Sequence, residues 1–76
     1  MFTIYSMEGC GYCDQVVQLM QLTSQSFVNY KLGRDFTIEE FKDEFGTSTF
    51  PMVMRQDQVI GGAAETATYF KENGLA

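Results

Sequence analysis

The chain has no histidine, no tryptophan, one proline, two cysteines and only five basic residues among its 76. The absence of histidine removes the usual general base and the commonest metal ligand. Ten acidic residues against five basic ones give a net charge of −5. Without a basic cluster the chain lacks the cationic footprint of nucleic-acid-binding proteins. No apolar run approaches the ~20 residues of a membrane span, so we expect no nucleic-acid or membrane partner.

The first residues, MFTIYSMEG, lack the basic region and the long apolar stretch of a secretory signal peptide. We therefore expect a cytoplasmic location, where thiols are kept mostly reduced. Hydrophobic residues make up 45% of the chain and charged residues 20%, which is ordinary for a globular protein. The length fits one domain covering residues 1–76. Its core is expected to be thin, because a chain of this size buries only about 60% of its unfolded surface.

Hydrophobic periodicity predicts the element order β-α-β-α-β-β-α. The predicted strands cover residues 2–5, 27–32, 52–54 and 59–60, and the predicted helices cover residues 11–23, 38–45 and 65–72. Thr37 and Glu40 form a capping-box pattern at the start of the second helix, and Gly46 suits the position just past its end. The first strand, helix and strand form a βαβ unit with parallel strands. The sequence therefore predicts an α/β fold with a four-stranded mixed sheet flanked by helices.

Cys10 and Cys13 are the only cysteines, and they fall where the first strand gives way to the first helix. The pair could be a redox couple, half of a metal site or a structural crosslink. A disulfide that closes so short a loop removes little entropy from the unfolded chain, which disfavours the crosslink. A zinc site would need further Cys or His ligands, which the chain lacks. A CxxC pattern beside a βαβ unit favours the redox couple, with two ordinary buried cysteines as the alternative.

The predicted positions of the two cysteines make them chemically unequal. Cys10 lies at the helix start, where unpaired backbone amides and the helix dipole favour a thiolate. Cys13 lies one turn further into the helix and is expected to keep its proton longer. Glu8 opposes thiolate formation at Cys10 because it adds like charge nearby. The expected reaction is disulfide exchange, with Cys10 as the catalytic nucleophile and Cys13 as the resolving thiol.

The chain resembles a glutaredoxin through three motifs in the family's order: Cys10-Gly11-Tyr12-Cys13, then Thr49-Phe50-Pro51, then Ile60-Gly61-Gly62. The resemblance spans nearly the whole chain. The short length makes the chain similar to the compact bacterial and phage members of the family. It implies a thioredoxin-like fold, a thiol–disulfide oxidoreductase activity and a cis peptide bond before Pro51. It also implies a substrate and glutathione groove formed by Tyr12, Thr49, Phe50, Pro51, Gly62, Ala64 and Glu65. We expect a monomer with glutathione as cosubstrate and no permanently bound cofactor or metal.

Three segments depart from the pattern common in the family. Met7 stands where many relatives have a lysine, Thr47 and Ser48 where many have a basic or amide side chain, and Ala63-Ala64-Glu65 where many have paired aspartates. The missing cations would bind the glycine carboxylate of glutathione. Arg34 is either a replacement for them or an ordinary solvated loop residue. The resemblance implies glutathione as the reductant, and the missing cations leave room for a thioredoxin-reductase-type flavoenzyme instead.

The resemblance further implies reduction of protein disulfides or glutathione mixed disulfides, with ribonucleotide reductase as one expected partner. Two alternatives stay open. Gly11 is compatible with family members that hold a [2Fe–2S] cluster between two subunits with glutathione. An apolar patch of Met7, Tyr12 and Phe50 would suit a binding module without turnover. Replacing Cys10 with serine separates a binding module from an enzyme, since a binding surface survives that change and catalysis does not.

Overall fold

A computed structural model describes residues 1–76. The strands are β1 (Phe2–Ser6), β2 (Phe27–Lys31), β3 (Met52–Arg55) and β4 (Gln58–Gly61), and the helices are α1 (Gly11–Leu22), α2 (Ile38–Phe45) and α3 (Ala63–Glu72). One sheet holds the strands in the order β2-β1-β3-β4. Strand β1 runs parallel to β2 and antiparallel to β3, which is antiparallel to β4. The predicted element order and mixed four-stranded sheet are confirmed. None of the three helices combines the length and the apolar character that a membrane span requires.

The helix ends follow from local hydrogen bonds. In the capping box of α2, the Glu40 amide donates to Thr37 Oγ1 at 3.2 Å and the Thr37 amide donates to Glu40 Oε1 at 2.8 Å. Gly46 closes this helix in the left-handed region with a φ of 70°. Helix α3 starts at Ala63 rather than at the predicted residue 65, because Glu65 accepts a hydrogen bond from the Gly62 amide and so caps an earlier start.

The main core lies on the sheet face covered by α1 and α3. Its buried members are Phe2, Ile4, Val16, Met20, Val53 and Phe70. Phe2 and Ile4 share this face because alternate residues of a strand point the same way. At the end of α1 the inward position is taken by half-buried Thr23, whose hydroxyl donates to the Leu19 carbonyl at 2.7 Å. Leu22 is 77% exposed, so the last residue of α1 faces solvent.

The opposite face carries an aromatic cluster, which we define as Tyr5, Tyr30, Phe36, Phe41, Phe45 and Phe50. The Tyr5 ring centroid lies 5.4 Å from that of Phe36 and 5.1 Å from that of Phe45. Buried Phe41 places its ring 4.6 Å from that of Phe50. Because Phe50 lies two residues before the start of β3, the aromatic cluster ties α2 to the loop that enters this central strand.

Candidate active site

The two cysteines lie where β1 leads into α1, as the sequence predicts. Cys10 is the N-cap of α1 and Cys13 is in its first turn. The two sulfurs are joined as a disulfide, and the Cys13 amide donates to Cys10 Sγ at 3.1 Å. Cys10 is half-buried, whereas Cys13 is only 2% exposed. The pair is therefore unequal: half-buried Cys10 lies at the helix N-terminus, and buried Cys13 lies behind it.

The loop that carries Cys10 is fixed at both ends. At the end of β1, buried Ser6 donates its hydroxyl to Asn29 Oδ1 on β2 at 2.7 Å. Gly9 turns the chain toward the helix with a φ of 71°, in the left-handed region that favours glycine. The capping hydrogen bond from Cys13 then holds the Cys10 sulfur over the first turn of α1. A hydrogen bond between two strands, a left-handed glycine and a helix cap thus set the position of the Cys10 sulfur.

A groove of about 380 Å³ lies on one side of Tyr12, the residue just before Cys13. It is lined by Tyr12, Thr49, Phe50, Pro51, Gly62, Ala63, Ala64 and Glu65. The structure therefore brings all seven sequence-predicted groove residues together and adds Ala63. Ala63 was missed although it follows the glycine pair directly, because helix α3 was predicted to start later. Met7 is 40% exposed and does not line the groove.

Two segments face each other in this groove: the Phe50–Pro51 segment before β3 and the glycine pair before α3. The Phe50–Pro51 peptide bond is cis, as the family resemblance implies. The Phe50 ring packs on Phe41 within the aromatic cluster, so its side chain is held from behind while the residue lines the groove. Across from it, a Cβ added at Gly62 would lie 3.6 Å from the Pro51 carbonyl oxygen. The proline segment and the glycine pair therefore approach each other closely.

Glycine is required at Gly61 more strictly than at Gly62. Gly61 has a φ of 126°, and a Cβ there would meet the Glu65 side chain at 3.0 Å. Gly62 anchors the start of α3 through two contacts: its amide donates to Glu65 Oε1 at 2.8 Å, and its carbonyl accepts from the buried Thr66 hydroxyl at 2.8 Å. The first of these bonds fixes the Glu65 carboxylate at the rim of the groove.

The cations near the end of β2 are engaged with carboxylates. Arg34 Nε donates to Asp35 Oδ2 at 2.8 Å, and an Arg34 terminal nitrogen donates to the Asn29 carbonyl at 3.1 Å. The hydrogen bond from Arg34 Nε, together with one from the Lys31 amide, holds the pKa of Asp35 below its ordinary value. Lys31 Nζ lies 3.7 Å from Glu8 Oε2. Arg34 thus braces the turn after β2 and does not line the groove. This placement agrees with the prediction of an ordinary loop arginine and not with a replacement for the missing cations.

The comparisons place this fold and site in a known class. The sequence model of the family described as Glutaredoxin matches residues 2–60. The structure matches glutaredoxin 1 of Francisella tularensis with a TM-score of 0.82 and 25% identity, covering 99% of this chain and 96% of that one. It matches reduced Escherichia coli glutaredoxin equally, with a TM-score of 0.82 and 25% identity, covering 99% and 98%. The sheet, the helices and the CxxC pair at the start of α1 define the thioredoxin-like fold class. The chain belongs to the glutaredoxin family.

Two further relatives extend the comparison. The chain is 32% identical over 68 residues to the hybrid peroxiredoxin hyPrx5 of Haemophilus influenzae, which covers 90% of this chain. The chain spans 28% of the length of that relative. A buckwheat glutaredoxin–glutathione complex matches with a TM-score of 0.82 at 20% identity, covering 97% of this chain and 71% of that one. That likeness shows the same fold.

Proposed function

We propose that residues 1–76 act as one thiol–disulfide oxidoreductase domain in which Cys10 attacks the substrate and Cys13 resolves the intermediate. One observation carries this proposal: the sulfur of half-buried Cys10 accepts a hydrogen bond from the Cys13 amide at the start of α1 while it is bonded to the sulfur of buried Cys13. The free amides and the dipole of the first helical turn stabilise negative charge on that sulfur. The same residues therefore hold both the thiolate and the disulfide form.

The exchange runs in two steps, starting from the reduced protein. The Cys10 thiolate attacks one sulfur of the substrate disulfide, and the other substrate sulfur leaves as a thiolate that takes a proton from solvent. Cys13 gives its proton to solvent and attacks Cys10 Sγ in the mixed disulfide. The second substrate sulfur leaves as a thiolate, and the Cys10–Cys13 disulfide forms. Two electrons have then moved from the protein to the substrate.

The proposed substrates are protein disulfides and glutathione mixed disulfides, with ribonucleotide reductase as a proposed partner in the cytoplasm. The proposed binding residues are Tyr12, Thr49, Phe50, Pro51, Gly62, Ala64 and Glu65, which line one groove beside the cysteine loop. A buckwheat relative of the same fold binds glutathione, which supports glutathione as the reductant. No lysine or arginine lines the groove, which supports a thioredoxin-reductase-type flavoenzyme instead. The two reductants are separated by experiment.

The test is reduction of a protein disulfide with two regenerating systems in parallel: glutathione with glutathione reductase, and thioredoxin reductase without glutathione. The full chain is compared with Cys10→Ser and Cys13→Ser. We expect turnover in one system, none with Cys10→Ser, and a trapped mixed disulfide on Cys10 with Cys13→Ser, detected by mass spectrometry. Activity retained by Cys10→Ser, or no turnover of the reduced full chain in either system, would overturn the proposal.

A further inference from the structure

A second cavity, of about 210 Å³, lies between β1 and α2 on the sheet face that carries the aromatic cluster. Its lining is aromatic and acidic, and consists of Tyr5, Phe36, Glu40, Phe41, Glu44 and Phe45. None of these six residues lines the groove beside the cysteine loop. The cavity is therefore a separate site, and the proposed disulfide exchange makes no use of it.

Four aromatic rings supply most of the lining of this cavity. The Tyr5 ring meets the Phe36 ring at an interplanar angle of 80° with 5.4 Å between the centroids. It meets the Phe45 ring at 64° and 5.1 Å. Tyr5, Phe36 and Phe45 are each only half-buried, so the rings stay open to a ligand. Aromatic rings attract a cation because their faces carry partial negative charge.

The two carboxylates of the cavity have no cationic partner. Glu40 and Glu44 are exposed, and the two ion pairs of the molecule involve other residues. Lys42, the only cation of α2, does not line the cavity. Glu40 is partly engaged, because its Oε1 accepts from the Thr37 amide at 2.8 Å. Glu44 is therefore the carboxylate best placed to face a positively charged ligand.

The charge of Glu44 is unfavourable for the helix that carries it. Glu40 and Glu44 are four residues apart on α2, a spacing at which like charges repel each other. Glu44 also lies in the last turn of α2, where the helix dipole disfavours a negative charge. Burial, Tyr30 and Glu44 together raise the pKa of Tyr5, which agrees with a negative charge beside the rings. A cation in the cavity would offset this unfavourable charge.

We propose that the cavity between β1 and α2 binds a quaternary ammonium group, held against the aromatic rings and beside the Glu44 carboxylate. A primary ammonium is strongly hydrated and donates three hydrogen bonds, for which aromatic rings offer few acceptors. A quaternary ammonium donates none, and its methyl groups gain apolar contact with the rings. A free small molecule and a trimethylated lysine side chain share this head group. The inference goes beyond the proposed function, since it concerns a site apart from the cysteines.

The experiment titrates choline chloride into the oxidised full chain and follows the backbone amides by two-dimensional NMR. The matched control ligand is 3,3-dimethyl-1-butanol, in which carbon replaces the charged nitrogen of choline and the shape is kept. We expect saturable shifts at Tyr5, Phe36 and Glu44. An exposed cation–π contact contributes about two- to fivefold in affinity, and one carboxylate at roughly 7 Å in water contributes about threefold. Choline should therefore bind about tenfold more tightly than the neutral alcohol.

Three variants test the parts of the site. Glu44→Gln should lower the choline affinity about threefold and leave that of the alcohol unchanged. It should not lower the urea midpoint, because it removes an unfavourable charge. Glu39→Gln removes an equal charge from the same helix outside the cavity and should change the choline affinity less than about 1.5-fold. Phe45→Leu keeps an apolar contact without a ring and should lower the choline affinity about two- to fivefold.

A second ligand, Nα-acetyl-Nε-trimethyl-lysine methylamide, separates the two sources of the head group. Tighter binding than choline would assign the site to a methylated lysine of a protein, and equal or weaker binding would assign it to a small molecule. No saturable shift with either compound, or equal affinities for choline and the alcohol, would overturn the inference. Equal effects of Glu39→Gln and Glu44→Gln would overturn it as well, because overall charge would then explain the binding. None of these results bears on the exchange at Cys10.

Discussion

Replacing Phe41 with alanine tests whether the aromatic cluster holds both the fold and the groove. Phe41 is 2% exposed, and its ring lies 5.6 Å from Phe36, 4.7 Å from Phe45 and 4.6 Å from Phe50. A buried Phe→Ala change costs about 3–5 kcal/mol. The whole free energy of unfolding of a 76-residue chain is about 4–11 kcal/mol. Phe41→Ala should therefore remove a large part of the stability.

The assay is urea unfolding of the oxidised proteins, followed by circular dichroism at neutral pH. Phe70→Ala is the matched control, because Phe70 is 0% exposed and packs 5.3 Å from Phe2 on the other sheet face. Both variants should lose comparable stability. In conditions where both are still folded, only Phe41→Ala should also slow disulfide reduction, since Phe50 loses its support. A loss below about 1.5 kcal/mol for Phe41→Ala, or equal activities, would refute this reasoning.

Three further changes test local features. Gly61→Ala should cost about 1–3 kcal/mol and Gly62→Ala less, measured by urea unfolding, because only Gly61 has a positive φ, of 126°. Arg34 holds the pKa of Asp35 below its ordinary 3.8, so stability present above that pH is lost as the pH falls through the lowered value. Asp35→Asn should flatten that acid limb of the urea midpoint, and an unchanged limb would contradict the assignment. Burial, with Tyr30 and Glu44, raises the pKa of Tyr5 above 10.0, so stability is lost as the pH rises beyond it. Tyr5→Phe should reduce that alkaline loss of stability in urea unfolding, whereas an unchanged loss would refute the assignment.

Much of the fold was predictable because its signals are local. Helix α2 has the predicted range Ile38–Phe45, since the Thr37 and Glu40 capping bonds and the Gly46 turn all act within a few residues. The position of the cysteine pair followed in the same way from a strand, a glycine and a helix start. The cis bond before Pro51 was predicted only through the family resemblance, because nothing in the local sequence distinguishes it from a trans bond.

By itself the sequence determined the order of the elements, the unequal cysteine pair and the residue types available for chemistry. Only the tertiary structure decided which of those residues meet. Tyr12, Pro51 and Glu65 are far apart in the chain and line one groove because β1 and β3 pair at the centre of the sheet. The same packing commits Arg34 to Asp35 and fixes Glu65 at the rim of the groove. Long-range strand pairing and side-chain packing set these partners, and no pattern within a few residues encodes them.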